Sequence, residues 1–75
     1  MEFDRALFAA RLRAAREGAG LSQVVLSELA GLRRTAVGDF EQGKHMPSAE
    51  GLYGLAGALG VSCDYLLGVE NILRD

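Results

Sequence analysis

The sequence is poor in the residues that build metal and cofactor sites. Its 75 residues include one cysteine and one histidine. Cys63 therefore has no partner for an internal disulfide bond, and one histidine with one cysteine is too few ligands for a metal cluster. The sequence also lacks a plausible nucleophile–base pair and a glycine-rich phosphate loop. We therefore expect no enzymatic activity, no metal and no cofactor.

Long hydrophobic runs, repeats, linkers and low-complexity segments are also missing. The longest uncharged stretch, residues 51–63, is too short and too rich in glycine to cross a bilayer. Glu2 and Asp4 are acidic where a signal peptide would be basic. These features predict one domain over residues 1–75, no membrane contact and a cytoplasmic location, with which a single cysteine agrees.

A net positive charge is absent, since the formal charge is −2. This total argues mildly against a nucleic-acid partner. The distribution argues the other way, because seven of the eight basic side chains lie within positions 5–44. From residue 48 onward one arginine stands against four carboxylates. A local field, rather than the total charge, steers a polyanion toward a protein.

Apolar residues at helical spacing, separated by glycines and capping residues, predict an all-α chain of five helices. Asp4 and three serines, Ser22, Ser48 and Ser62, are good N-cap residues at the starts of four of them. The expected helices cover about residues 4–17, 23–30, 33 or 34 to 41, 48–59 and 63–67. No strand pattern competes with this assignment.

Residues 23–42 hold the most informative pattern. Two short helical segments meet at Gly31, where the chain needs a positive φ to turn a tight corner. We expect them to pack through Leu26 and Ala30 on one side and Val37 and Phe40 on the other. The opposite face of the second helix is then free to enter a DNA groove, as in a helix-turn-helix.

Three segments together resemble the DNA-binding domain of the lambda repressor and Cro type, the XRE-like family. They are RLRAAREGAGLSQ at 11–23, LSELAGLRRTAVGDFEQGK at 26–44 and PSAEGLYGLAGALGVSCDYLL at 47–67, more than three quarters of the chain. The resemblance implies a compact five-helix bundle that regulates transcription from operator DNA. Double-stranded DNA is then the expected partner.

The resemblance also implies which side chains would meet DNA. Gln23 would contact a phosphate at the start of the second helix, where exposed N–H groups and the helix dipole suit an anion. Arg34 is the strongest candidate for a bidentate bond to guanine, whereas Arg33 is expected to touch phosphate. The full candidate set is Gln23, Arg33, Arg34, Thr35, Gly38, Asp39, Gln42 and Lys44.

Asp39 departs from the family pattern, which has a basic or neutral polar residue at this position. Its carboxylate could accept a hydrogen bond from cytosine N4. It could instead orient Arg34 or Thr35, or simply face solvent in a poor reading surface. The sequence leaves these interpretations open.

Two further expectations concern structure and assembly. Arg16 and Glu41 match a semi-buried ion pair of the family, which would lock the recognition helix onto the first helix. The glycines of the fourth helix, Gly51, Gly54 and Gly57, are expected on an exposed face, either as a weakened helix surface or as a contact with another chain. A homodimer is expected through the fifth helix and tail, residues 62–75, with these contact residues: Ser62, Cys63, Tyr65, Leu66, Val69, Ile72 and Leu73.

An alternative function is a protein-interaction module that keeps the fold and has lost operator reading. The acidic pI of about 5.3, Asp39, and the apolar pair Val24 and Val25 favour it.

Overall fold

The computed structural model describes residues 2–69, and within them the chain forms five helices and no strand. The helices are α1 (Arg5–Gly18), α2 (Gln23–Leu29), α3 (Ala36–Glu41), α4 (Ala49–Leu59) and α5 (Cys63–Leu67). The predicted all-α, five-helix fold is confirmed. No helix in this part of the chain is long and apolar enough to span a bilayer.

The predicted capping residues set the helix starts. Asp4, Ser22, Ser48 and Ser62 each accept a hydrogen bond from the backbone N–H three residues later, at 2.9 to 3.1 Å. Each such bond satisfies one of the N–H groups that a helix leaves without an internal partner. The local sequence therefore determines where α1, α2, α4 and α5 begin.

The corner between α2 and α3 closes at Gly31, whose φ is 76°. Leu32 N–H donates to Ser27 O at 2.8 Å and Gly31 N–H donates to Glu28 O at 3.1 Å. This pair of bonds is a Schellman motif, which ends α2 and reverses the chain. The motif needs a left-handed residue at position 31, and glycine adopts that conformation without a steric penalty.

The third helix is shorter than the sequence predicted. Its start was expected at Arg33 or Arg34, but α3 begins at Ala36, and Thr35 occupies the cap position without a side-chain capping bond. Ala36 N–H bonds to Arg33 O at 3.0 Å, which closes a turn rather than a helix. The prediction was wrong because residues 32–35 complete the corner before the chain can enter α3. Arg33, Arg34 and Thr35 therefore lie in the turn that leads into the helix.

One hydrophobic core joins the five helices. α2 packs against α3 and α4, and α1 packs against α3 and α5. Leu26, Val37 and Phe40 are buried at the α2–α3 contact as expected, and Ala30 packs partly buried against the core. Leu29, which follows the same apolar pattern, instead exposes 61% of its surface. The core residues are Phe8, Leu12, Leu26, Ala36, Val37, Phe40, Leu55, Ala56 and Leu66.

The glycines of α4 do not share one exposed face. Gly51 is buried and Gly54 is half-buried, whereas Gly57 is exposed. A Cβ atom at Gly54 would lie 2.5 Å from the carbonyl oxygen of Ala30. The expectation of an exposed stripe is therefore wrong for Gly51 and Gly54. Gly54 lets the α4 backbone approach the end of α2 closely within this chain.

Candidate nucleic-acid interface

Ser27 fixes the angle at which α3 leaves the corner. Its hydroxyl is fully buried, donates to Gln23 O at 2.8 Å, and accepts from Val37 N–H at 3.1 Å. The second bond satisfies an N–H group in the first turn of α3, which no capping side chain serves. Ser27 is not among the residues predicted from the sequence, in which only its interruption of an apolar pattern could have indicated it.

An ion pair connects α1 to the end of α3. Arg16 Nε donates to Glu41 Oε2 at 2.7 Å, and an Arg16 terminal nitrogen donates to Glu41 Oε1 at 3.1 Å. The hydrogen bonds that Arg16 donates to Glu41 raise the pKa of Arg16, and burial opposes that effect. The Glu41 side chain is only 3% exposed. The two residues expected to pair are thus joined by a bidentate, nearly buried contact, the strong form of a guanidinium–carboxylate interaction.

Gln23 lies at the first position of α2, as expected, but its side chain is engaged inside the protein. Its Nε2 donates to Glu41 Oε1 at 3.0 Å, and the residue is half-buried. Its Oε1 lies 3.2 Å from where a Cβ atom on Gly38 would be. Gly38 therefore leaves the space that the Gln23 amide fills. A phosphate contact by the Gln23 side chain would use the second N–H of the same amide group.

Asp39 is paired, and its partner is not one that the sequence suggested. Arg33 donates from a terminal nitrogen to Asp39 Oδ2 at 2.9 Å, and from Nε to Thr35 Oγ1 at 3.2 Å. Of the interpretations that the sequence left open, a direct hold of Asp39 on Arg34 or Thr35 is not seen, because the Asp39 side chain bonds to Arg33, which in turn bonds to Thr35. The contact depends on the corner, which brings the turn residue Arg33 over the first turn of α3.

The remaining candidates on this side are exposed. Arg34 has a side-chain exposure of 75%, and its Nε lies 3.9 Å from Glu28 Oε2, too far for a hydrogen bond. Gln42 and Lys44 are exposed beside Gly43, which has a φ of 77° and ends α3. We call the surface formed by residues 32–35, α3 and residues 42–44 the corner surface. Its accessible charged groups are three cationic side chains, Arg33, Arg34 and Lys44, and the Asp39 carboxylate, since the Glu41 side chain of α3 is only 3% exposed.

The residues expected in a dimer contact have unequal exposure. Leu66 is fully buried in the core, so its assignment to a surface contact is wrong. Tyr65 is half-buried, and the Arg11 guanidinium lies 4.7 Å from the centre of its ring. Ser62 is exposed and Cys63 is half-buried. Val69 is half-buried, whereas Ile72 and Leu73 lie outside the described residues.

This chain matches known proteins by family model, by sequence and by structure. The helix-turn-helix family model matches residues 12–66. The immunity repressor protein of Bacillus phage phi105 is 35% identical over 65 residues, which cover 87% of this chain and 45% of the phage protein. The chain thus spans about half the length of that relative.

Two solved structures resemble the fold closely. The restriction-modification controller protein C.AhdI from Aeromonas hydrophila matches with a TM-score of 0.78 and 40% identity, over 84% of this chain and 96% of that one. The P22 c2 repressor, solved in complex with synthetic operator 9T, matches with a TM-score of 0.77 and 34% identity, over 81% and 92% of the two chains.

Proposed function

The chain belongs to the helix-turn-helix family, and from that premise we propose that it is a sequence-specific DNA-binding regulator of transcription, of the repressor or controller type. The corner surface is the observation that carries this proposal. Val37 and Phe40 hold α3 against the core by its inner side, which leaves the cationic turn and the outer side of the helix to enter a major groove. The similar P22 c2 repressor, solved with operator DNA, supports the same use of this fold.

The contacts that we propose with DNA divide by chemistry. Lys44 and Gln42 would position the protein on phosphates, as polar groups around a recognition helix do. Gln23 would add a phosphate contact from its remaining amide N–H. Thr35 would donate to a base or phosphate from its hydroxyl, whose oxygen already accepts from Arg33. Gly38 would contribute indirectly, because it leaves room for the Gln23 amide beside α3.

Selection from random duplexes followed by mobility shift tests the proposal. We expect one enriched sequence, and we expect its affinity to fall about 10³- to 10⁵-fold between 50 and 200 mM salt if roughly 6–10 phosphates are contacted. The double variant Arg33→Ala, Arg34→Ala should lose this binding. Tyr53→Ala is a matched control on α4, since Tyr53 is 78% exposed and lies outside the corner surface. No affinity for any duplex at low ionic strength would refute the proposal.

A homodimer is part of the proposal. Two corner surfaces related by a two-fold axis would read half-sites about 34 Å apart, so that two weak contacts combine. The exposed part of α5 near Ser62, with the accessible parts of Cys63 and Tyr65, is the proposed contact. Sedimentation of the chain with a full operator and with a single half-site tests this point. Equal affinity for both duplexes, with one chain bound to each, would contradict it.

A protein-interaction function is the second candidate, because α2 exposes apolar side chains. Val25 is 43% exposed and Leu29 is 61% exposed, and burial of such side chains is a common source of association energy. This candidate predicts that no duplex is selected. If a duplex is selected and the corner variants abolish binding, operator reading is retained.

A DNA-binding function would also place the chain in the cytoplasm, as the sequence suggested.

A further inference from the structure

The contacts of Arg33 separate it chemically from its neighbour Arg34. We propose that Arg33 reads a guanine in the major groove and that Asp39 is the positioning residue that holds its guanidinium for this task. This inference rests on the DNA-binding function proposed above and assigns the base reader within it. It reverses the roles that the sequence suggested for the two arginines.

Arg33 keeps enough hydrogen-bond donors to bind a base while it is paired with Asp39. A guanidinium group has five N–H donors in one plane. Thr35 Oγ1 takes the Nε–H, and Asp39 Oδ2 takes one N–H of a terminal nitrogen. Three N–H groups are left, which is enough for the two parallel bonds that guanine O6 and N7 accept. The pairing therefore does not exhaust Arg33 as a reader.

The bonds to Thr35 and Asp39 also lower the conformational entropy that Arg33 would lose on binding DNA. The Arg33 side chain is 63% exposed, and a free arginine in such a place would lose much rotamer freedom on binding. The two bonds to Thr35 and Asp39 already restrict it in the free protein. A side chain held in its bound geometry loses less freedom on association, so more of its hydrogen-bond energy appears as affinity. Arg34 has no comparable pair of bonds within residues 2–69.

The two arginines also differ in the charge that surrounds them. Arg33 and Asp39 form a 2.9 Å ion pair, so the two charges largely cancel for a phosphate several ångströms away. A phosphate contact gains chiefly from net positive charge, whereas guanine offers neutral acceptors that need donors in a fixed geometry. Arg34 Nε lies 3.9 Å from Glu28 Oε2, and the Arg34 side chain is 75% exposed. Its positive charge is therefore less offset by a carboxylate than that of Arg33. Arg34 is therefore suited to phosphate, and Arg33 is suited to a base.

The experiment measures affinity for the selected operator and for every single-base variant of it, at several salt concentrations. Arg33→Ala should lose the preference for guanine at one position per half-site, a discrimination of about 5- to 150-fold. Arg33→Lys should lose it as well, because lysine keeps the charge but lacks the planar fork. Arg34→Ala should instead weaken all duplexes alike and reduce the slope of log affinity against log salt by about one unit.

Asp39→Asn is the decisive variant. We expect it to reduce the same guanine preference, because Arg33 is no longer held in place. Affinity for unrelated duplexes should rise, because the Asp39 carboxylate no longer offsets the positive charge of Arg33. In the Arg33→Ala background, Asp39→Asn should leave the base preferences unchanged. A structural role alone would change stability without moving these preferences, and thermal melting of each variant measures that stability separately.

Two results would overturn the inference while leaving the proposed function intact. One is a guanine preference that disappears in Arg34→Ala and survives in Arg33→Ala. The other is a cytosine preference that depends on Asp39 in the Arg33→Ala background, which would make Asp39 a base acceptor itself. If the unmodified chain binds no duplex at all, the proposed function fails and this inference fails with it.

Discussion

Gln23 Nε2 and Arg16 Nε donate to opposite oxygens of one carboxylate, that of Glu41, at 3.0 Å and 2.7 Å. The first residue of α2, the last turn of α1 and the end of α3 thereby meet at a single nearly buried group. Arg13 is a third residue near this carboxylate, with its Nε 3.5 Å from Glu41 Oε1. This junction determines where α3 ends relative to the rest of the bundle, and so it determines how the corner surface is presented.

Breaking this junction on one side should cost more than removing it entirely. We expect Arg16→Met or Glu41→Leu alone to lower the free energy of unfolding by about 3–5 kcal/mol, because each leaves a charge nearly buried without its partner. The double variant should lose less than either single variant, because no buried charge is left without a partner. Urea unfolding monitored by circular dichroism measures all four proteins. A double variant that loses the full sum would show that the two side chains do not interact energetically.

The stabilisation that Arg16 and Glu41 provide should not change through titration of Arg16 between about pH 7 and about pH 10. Its pKa is raised by the hydrogen bond with Glu41, so its stabilising contribution is fully present below the ordinary arginine value and is lost only as pH rises through the folded-state value. The difference in unfolding free energy between the unmodified chain and Arg16→Met should therefore stay constant from about pH 7 to about pH 10. A difference that shrinks steadily over this range would contradict this prediction, and a difference near zero throughout would mean that the guanidinium is not held as the structure shows.

Ser27 offers a test of how α3 is started. Ser27→Ala removes the only side-chain acceptor of Val37 N–H that the structure shows in residues 2–69, and we expect a loss of about 1–3 kcal/mol. Ser22→Ala is the matched control, since it removes a serine acceptor from an exposed cap at a cost of about 1 kcal/mol. Hydrogen exchange at the Val37 amide should accelerate in Ser27→Ala relative to the global unfolding limit and should not do so in Ser22→Ala. Equal protection of this amide in both variants would contradict the assigned role.

The sequence was sufficient for features that depend on neighbours along the chain. Asp4, Ser22, Ser48 and Ser62 act on backbone N–H groups three residues away, so local rules located four helix starts. Gly31 likewise acts within its own corner.

Contacts between distant residues were less predictable, because they depend on where the elements meet in space. Arg33 reaches Asp39 only because the corner delays α3 until Ala36, and that delay shifts the turn residues relative to the helix face. Ser27 was missed since its partner, Val37, lies on the next helix. The pairing of Arg16 with Glu41 was anticipated through a family resemblance, and spacing alone carried no signal for it.

The crossing of α2 and α4 gives a further test, for which α4 provides its own control. We expect Gly54→Ala to destabilise the chain by about 1–3 kcal/mol, because the added Cβ atom would lie 2.5 Å from the Ala30 carbonyl oxygen and 3.2 Å from its carbon. These are backbone atoms at the end of α2, so the clash is relieved only if the two helices move apart. Thermal and urea unfolding measure the loss.

Gly57→Ala is the matched substitution one turn further along the same helix. Nothing lies within 4 Å of a Cβ atom at Gly57, so alanine there should raise stability by up to about 1 kcal/mol through its greater helix propensity. Both variants make the same chemical change within α4. Opposite signs of their stability changes would therefore separate the effect of packing from that of helix propensity. If Gly54→Ala were as stabilising as Gly57→Ala, α2 and α4 would not be in close backbone contact.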